Sequence, residues 1–357
     1  MYLFLPLVGS SSSPPASPWV PSSVRKIYDP PGQFYVYAPS AVIDEGVERY
    51  WTCHNRREGA VEDSIYYIER VQGKVMVSKS ALTAGAPGAW DSFHVCDPAV
   101  IAGKFRLNGR AYRYALFYLG NNVDASTHNQ IGVAFTNDLS GSWVKYPLPV
   151  VQSPKDKSWG AGQPSATSLD GKGRLLLFYT LGSLAETRAM RRELDLSDMS
   201  HPLIGPAVPL TNAGLTAANG NPDFLNNFDI VHDPRRDRFY AVREQHPYPS
   251  DHPSYIVSSQ QVVSISGAAL RSNSSVGRWQ VEGEINRALT GSPRNHNAGI
   301  ERTLRGALPR PDSIRIVFTD GCAGSGCRDR AEWSYDLWEV RGALPDWKAK
   351  SPLGKSQ

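Results

Sequence analysis

Five stretches of this chain share one short pattern, spaced almost evenly. They read Tyr37-Ala38-Pro39-Ser40-Ala41-Val42-Ile43, Cys96-Asp97-Pro98-Ala99-Val100-Ile101, Gly162-Gln163-Pro164-Ser165-Ala166-Thr167, Asn227-Phe228-Asp229-Ile230-Val231 and His296-Asn297-Ala298-Gly299-Ile300. Taking residues 38, 97, 163, 229 and 297 as equivalent gives steps of 59, 66, 66 and 68 residues. A long, regular period is the signature of a repeat architecture in which neighbouring units bury one another's faces. Each copy opens a β-branched run, and a more apolar run follows: Tyr112 to Leu119, Leu175 to Thr180, Phe239 to Val242, Ile314 to Thr319.

The second unit parses most clearly. Asp97 to Ala102, Arg113 to Leu119, Gln130 to Thr136 and Trp143 to Tyr146 read as four strands separated by Gly, Asn and Asp turns. Third strands of the other units are expected at Ser64 to Glu69, Arg188 to Leu194, Tyr255 to Val263 and Tyr335 to Val340. Four antiparallel strands per unit, five times over, make an all-β, five-bladed propeller. The fifth unit runs out after Val340, so Val24 to Tyr28 is expected to supply its outermost strand and close the ring. The reading gives one propeller domain over residues 24–344. It is preceded by an apolar start and a Ser/Pro-rich tether over 1–23 and followed by a polar tail over 345–357.

The 31 glycines and 27 prolines suit many turns, and the net charge of +4 is spread without a basic block. Nucleic acid is therefore not an expected partner, and no run approaches the roughly 20 apolar residues of a membrane span. A monomer is the expected state. The four cysteines lack the Cys-x-x-Cys spacing of a zinc site. Cys322 and Cys327 bracket a small loop, and Cys53 and Cys96 fall near one rim in consecutive units, so two disulfides are expected. With residues 1–9 as a short apolar leader, this points to export into an oxidising compartment.

Several segments resemble the five-bladed β-propeller glycoside hydrolases, the superfamily of family 43 arabinanases and xylosidases and of the family 32 and 68 fructan enzymes. The resemblance rests on Cys96 to Ile101, on Ala115-Leu116-Phe117-Tyr118-Leu119-Gly120, on Gln130 to Asp138 followed by Trp143, and on Leu176-Leu177-Phe178-Tyr179-Thr180. It implies a secreted hydrolase of glycosidic bonds in an arabinan- or fructan-like carbohydrate, with no cofactor. It also implies three axial carboxylates, and only the second-blade one has a counterpart here, Asp97. The first-blade and third-blade positions hold Ala38 and Gln163, and an amide has no titratable proton to give a leaving group.

In a propeller, the start of each first strand and the end of each second strand meet around the axis at one face. Glycoside hydrolysis needs one protonated carboxyl and one carboxylate. The expected catalytic set is therefore Asp97, Asp229 and Glu244, the last ending the fourth blade's second strand. The expected substrate-binding set is Gln163, Trp90, His94, Asn227, His296, Asn297, His54 and Trp159; nothing in the histidine spacing requires a metal. The alternative is a carbohydrate-binding propeller that has lost catalysis, which Ala38 and Gln163 would explain.

Overall fold

A computed structural model describes residues 17–344, apart from 33, 56, 58–61, 124–126, 155–156, 273–276, 326 and 328–334. The segments 1–16 and 345–357, expected as leader, tether and tail, lie outside the described residues. The chain forms five antiparallel sheets in a ring. Strand β1 (Trp19–Tyr28) comes first in the chain and belongs to the last blade. Blade one is β2 (Phe34–Asp44), β3 (Val47–Asn55), β4 (Ser64–Val71) and β5 (Lys74–Leu82). Blade two is β6 (His94–Leu107), β7 (Arg110–Asn121), β8 (Gln130–Thr136) and β9 (Val144–Lys145). Blade three is β10 (Gly160–Ser168), β11 (Arg174–Gly182) and β12 (Thr187–Asp195), its outer edge split between β13 (Leu203–Ile204) and β14 (Val208–Pro209), both paired to β12. Blade four is β15 (Asp229–Asp233), β16 (Arg238–Gln245), β17 (Ser259–Ser266) and β18 (Gln280–Ile285). Blade five is β19 (Arg294–Ile300), β20 (Ser313–Gly321) and β21 (Asp336–Ala343), with β1 hydrogen-bonded outside β21.

The expected propeller and its closure by the N-terminal strand are thus both present. The closing strand begins at Trp19, five residues ahead of the expected start and inside the segment assigned to the tether. Trp19 has a reason to be there: it is buried against the seam between blades four and five. The fourth blade's third strand starts at Ser259 rather than Tyr255, which leaves Tyr255 exposed at the cavity rim.

Each sheet is covered on both faces by its neighbours, so the apolar core is divided among the five seams. Ile101, Phe117 and Phe135 meet Leu177 and Tyr179 between blades two and three. Phe178 meets Phe239 between three and four, and Val242 meets Ile316 between four and five. Trp51 meets Leu116 between one and two, and Tyr50 meets Val317 between five and one. This explains why the middle strands read as continuous apolar runs instead of alternating ones: all seven residues of β8 are buried. Outer strands face water, and most of β5 is exposed. The hairpins Glu45-Gly46, Gln72-Gly73 and Asn108-Gly109 each place both residues at positive φ, the turn whose twist matches the flanking strands.

The first strands of blades one, two, three and five break their pairing near the axis, and that of blade four begins its pairing there. Regular pairing holds again at Ser40 with Trp51, Ala99 with Phe117, Ser165 with Phe178, Asp229 with Val242 and Gly299 with Val317. Two residues before each of these stands a non-glycine residue at positive φ: Ala38 (50°), Asp97 (47°), Gln163 (54°), Asn227 (42°) and Asn297 (41°). The fourth blade's axial residue is therefore Asn227, and the sequence register that chose Asp229 is corrected by two residues.

Candidate active site

A cavity of about 430 Å³ opens where these axial residues converge, with lining contributed by every blade. Blade one supplies Tyr35 and Tyr37; blade two supplies His94, Cys96, Asp97, Leu119 and Asn129. Blade three supplies Trp159, Gln163, Thr180, Gly182 and Thr187. Blade four supplies Asn226, Asn227, Glu244, Tyr248 and Tyr255, and blade five supplies His296 and Asn297. The size suits a small ligand of one or two rings. Among the described residues no lysine or arginine lines it, and the described wall is aromatic and hydroxyl- or amide-bearing around two carboxyl groups.

Asp97 is the deeper feature of the second blade. Its Oδ2 accepts the Gln163 main-chain N–H at 3.1 Å, and its own N–H points to Cys53 Sγ at 3.0 Å. Burial pushes its carboxyl up to about 6, and the Glu244 charge adds to that; the Gln163 N–H and His296 work against it. The expected disulfide Cys53–Cys96 lies directly beneath, joining the first and second blades. Cys53, Cys96 and Asp97 come close enough to suggest a metal, but both sulfurs are spent on that disulfide, which leaves no thiolate. The second expected disulfide, Cys322–Cys327, is also formed.

Glu244 stands one residue before the end of β16, lines the cavity and is buried. Its Oε1 accepts Asn227 Nδ2 at 2.6 Å and stands 2.7 Å from His296 Nδ1. Its Oε2 accepts the Tyr248 hydroxyl at 3.0 Å and Asn226 Nδ2 at 3.4 Å. Strand alternation sends the preceding Arg243 to the opposite sheet face, where it is fully buried and bonds Asp223 and Gln261. Asn227 Nδ2 also donates to Asn297 Oδ1, so three of the expected binding residues, Asn227, Asn297 and His296, form one connected group with Glu244.

Gln163 lines the cavity with Oε1 buried and without a hydrogen-bond partner among the described residues. Trp159 stands beside it in space that two glycines leave open. A β-carbon on Gly162 would come within 2.8 Å of its ring, and one on Gly182 within 3.1 Å of its Cβ. His94 lines the wall with Nδ1 3.8 Å from Asp63 Oδ2, and Asp63 accepts the Tyr37 hydroxyl at 2.8 Å.

Three expected site residues are elsewhere. Asp229 is not part of the lining: it accepts Ser165 Oγ at 2.7 Å and the Ile300 N–H at 2.8 Å and is ion-paired to the buried Arg302. Arg302 also reaches Ser165 and bonds blade one through its backbone, so Asp229 is spent on tying blades three, four, five and one together at the axis. His54 is fully buried, stacked on Tyr66 and close to Tyr28, and burial lowers its imidazole to about 3. Trp90 stacks on Tyr118 over Gly120 and Gly132, whose missing side chains make room for it. Conversely, Tyr35, Asn129, Asn226, Tyr248 and Tyr255 reach the cavity from positions that carried no motif.

No protein-family model and no curated protein matches the sequence. Solved structures do. The chain superposes on the α-L-arabinofuranosidase PaAbf62A of Podospora anserina, solved in complex with cellotriose, with a TM-score of 0.54 at 12% identity, covering 90% of this chain and 96% of that one. For Zg3597, a family 117 glycoside hydrolase of the marine bacterium Zobellia galactanivorans, the TM-score is 0.58 at 11% identity, with 92% and 97% covered. For the catalytic domain of the Coprinopsis cinerea GH62 α-L-arabinofuranosidase it is 0.56 at 13% identity, with 92% and 100% covered. The fold is that of the five-bladed glycoside hydrolase propellers. The shared architecture covers about nine tenths of the chain, and at these identities the likeness is one of fold.

Proposed function

We propose that this chain is a secreted glycoside hydrolase acting on an arabinan- or fructan-like carbohydrate. The observation that carries the reading is the pairing of two buried carboxyl groups, Asp97 and Glu244, from different blades in one axial cavity. Asp97, raised to about 6, is the group suited to hold a proton for the leaving oxygen near neutral pH. Glu244, accepting from Asn227 and Tyr248, is the second carboxyl, on the side where water is activated. Trp159 and the tyrosines offer flat faces to a sugar ring. Gln163, His94, Asn227 and Asn297 offer polar atoms to its hydroxyls. The two disulfides suit an oxidising, extracellular setting.

The test is release of reducing sugar from debranched arabinan, levan and inulin by the wild type and by Asp97→Asn. Activity lost with Asp97→Asn while the fold is kept supports the reading; an inactive wild type on all three overturns it. A second reading, a carbohydrate-binding propeller without catalysis, draws on Ala38 and Gln163 at two positions where the resembled enzymes carry carboxylates. Saturable calorimetric binding of these polysaccharides with no product would favour it.

A further inference from the structure

The oxygens of Glu244 are crowded by polar neighbours, three of them hydrogen-bonded to it. A carboxylate offers about four lone-pair directions, and Asn227, His296, Tyr248 and Asn226 approach all four. The side chain is only 1% exposed, whereas the His296 side chain, on the cavity side of it, is 13% exposed. To take a proton from water, Glu244 would have to give up a donor in a place water scarcely reaches. The imidazole in front of it has no such obstacle. Its Nδ1 faces Glu244 Oε1 at 2.7 Å, so Nε2 is the nitrogen left for a ligand in the cavity. The N–H direction is not yet aligned with Oε1, a geometry common before substrate binds.

We propose that His296 is the general base of this site and that Glu244 is its positioning residue, fixing the ring with the proton on Nδ1 and stabilising the imidazolium. The inference rests on the hydrolase reading above. In the step, Nε2 takes a proton from water as the water oxygen bonds the anomeric carbon from the face opposite the leaving group. The glycosidic C–O bond breaks, its electron pair stays on the leaving oxygen, and that oxygen takes the proton of Asp97. The configuration inverts, and the proton on His296 returns to Asp97 through solvent. This is the division of labour in which a buried carboxylate orients an imidazole without itself becoming protonated. The charged and titratable groups facing His296 are Glu244 from β16, Asp97 from β6 and Tyr335 ahead of β21, its ring centre 6.0 Å away.

Two measurements test it. In ¹⁵N-labelled wild type, neutral His296 should carry its proton on Nδ1 with Nε2 bare, and Glu244→Gln should disturb that preference; a wild-type ring protonated on Nε2 overturns the proposal without reference to any substrate. On whichever of arabinan, levan or inulin is cleaved, His296→Ala and Glu244→Gln should each lower kcat by about 10²- to 10⁴-fold with KM little changed. Added imidazole should restore His296→Ala at least tenfold, and His296→Gln serves as a second variant if the first is poorly folded. If His296→Ala keeps most of its activity while azide rescues Glu244→Ala, Glu244 attacks directly and the proposal fails although the hydrolase reading stands. If the wild type cleaves none of the three, both fail.

Discussion

The main-chain N–H of Gln163 donates to Asp97 Oδ2 at 3.1 Å across the seam between the second and third blades. The amide side chain of Gln163 cannot titrate, yet its backbone holds the second-blade carboxyl in place. Its side chain meanwhile keeps a buried acceptor turned to the cavity wall.

Asp97 should cost stability in return for function. Its folded carboxyl titrates at about 6, above the 3.8 of a free one. The neutral form is therefore favoured in the folded state, and that contribution is full below pH 4 and lost as pH rises through 6. Asp97→Asn keeps an acceptor for Gln163 and removes the buried charge. It should lower turnover by about 10²- to 10⁴-fold and raise stability at pH 7.5 by about 3 kcal/mol. Urea unfolding at pH 4 and pH 7.5 checks the sign; equal stability differences at the two values would refute it.

His54 should act in the opposite sense. Its folded imidazole lies at about 3 against 6.5 when free, because burial disfavours the cation. The unfolded chain then binds the extra proton, so stability is present above pH 6.5 and drains away as pH falls toward 3. His54→Phe keeps the stacking with Tyr66 and should flatten that acid limb by several kcal/mol. Melting temperatures of both proteins between pH 7 and pH 4 test this, and parallel curves would count against it.

Much of this architecture was legible because blade strands obey local rules. Gln130 to Thr136 was readable as a strand to the residue, since both its faces are covered and its middle, Ile131 to Phe135, is apolar. The closing strand was legible from a fifth unit one strand short. The fourth blade misled because Phe228 replaces the proline that marks its counterparts, so an aspartate two residues along looked equivalent. Asn227 carried a usable signal: asparagine tolerates positive φ better than most residues, and Asn297 does the same in blade five. Trp90 and His54 were misplaced because position along a strand end does not say which face the side chain takes. Tyr248 and Asn129 belong to segments outside the first and second strands, where no period constrains the chain.

Asp229→Asn should be a stability mutant. Removing its charge leaves Arg302 buried without a counter-ion, a loss of about 3–5 kcal/mol in comparable pairs. The rate constant per folded molecule should stay within a few-fold of wild type. A drop of two orders of magnitude with normal unfolding would return Asp229 to the chemistry.

The disulfide beneath Asp97 links residues 43 apart in sequence. Closing a loop of that size stabilises by about 4 kcal/mol in the chain-entropy account. Cys53→Ser with Cys96→Ser should lose roughly that, and kcat should fall as well, because the floor under Asp97 loosens. Denaturation midpoints beside initial rates give both answers, and unchanged rates would mean that the bridge serves stability alone.

Among the described strands β1 pairs with β21 alone, more than 300 residues later in the chain. Until β21 is made, the fifth blade lacks its third strand and β1 has no partner among the described strands. In a nascent chain of this design the ring therefore closes late, in the step that brings these two distant strands together.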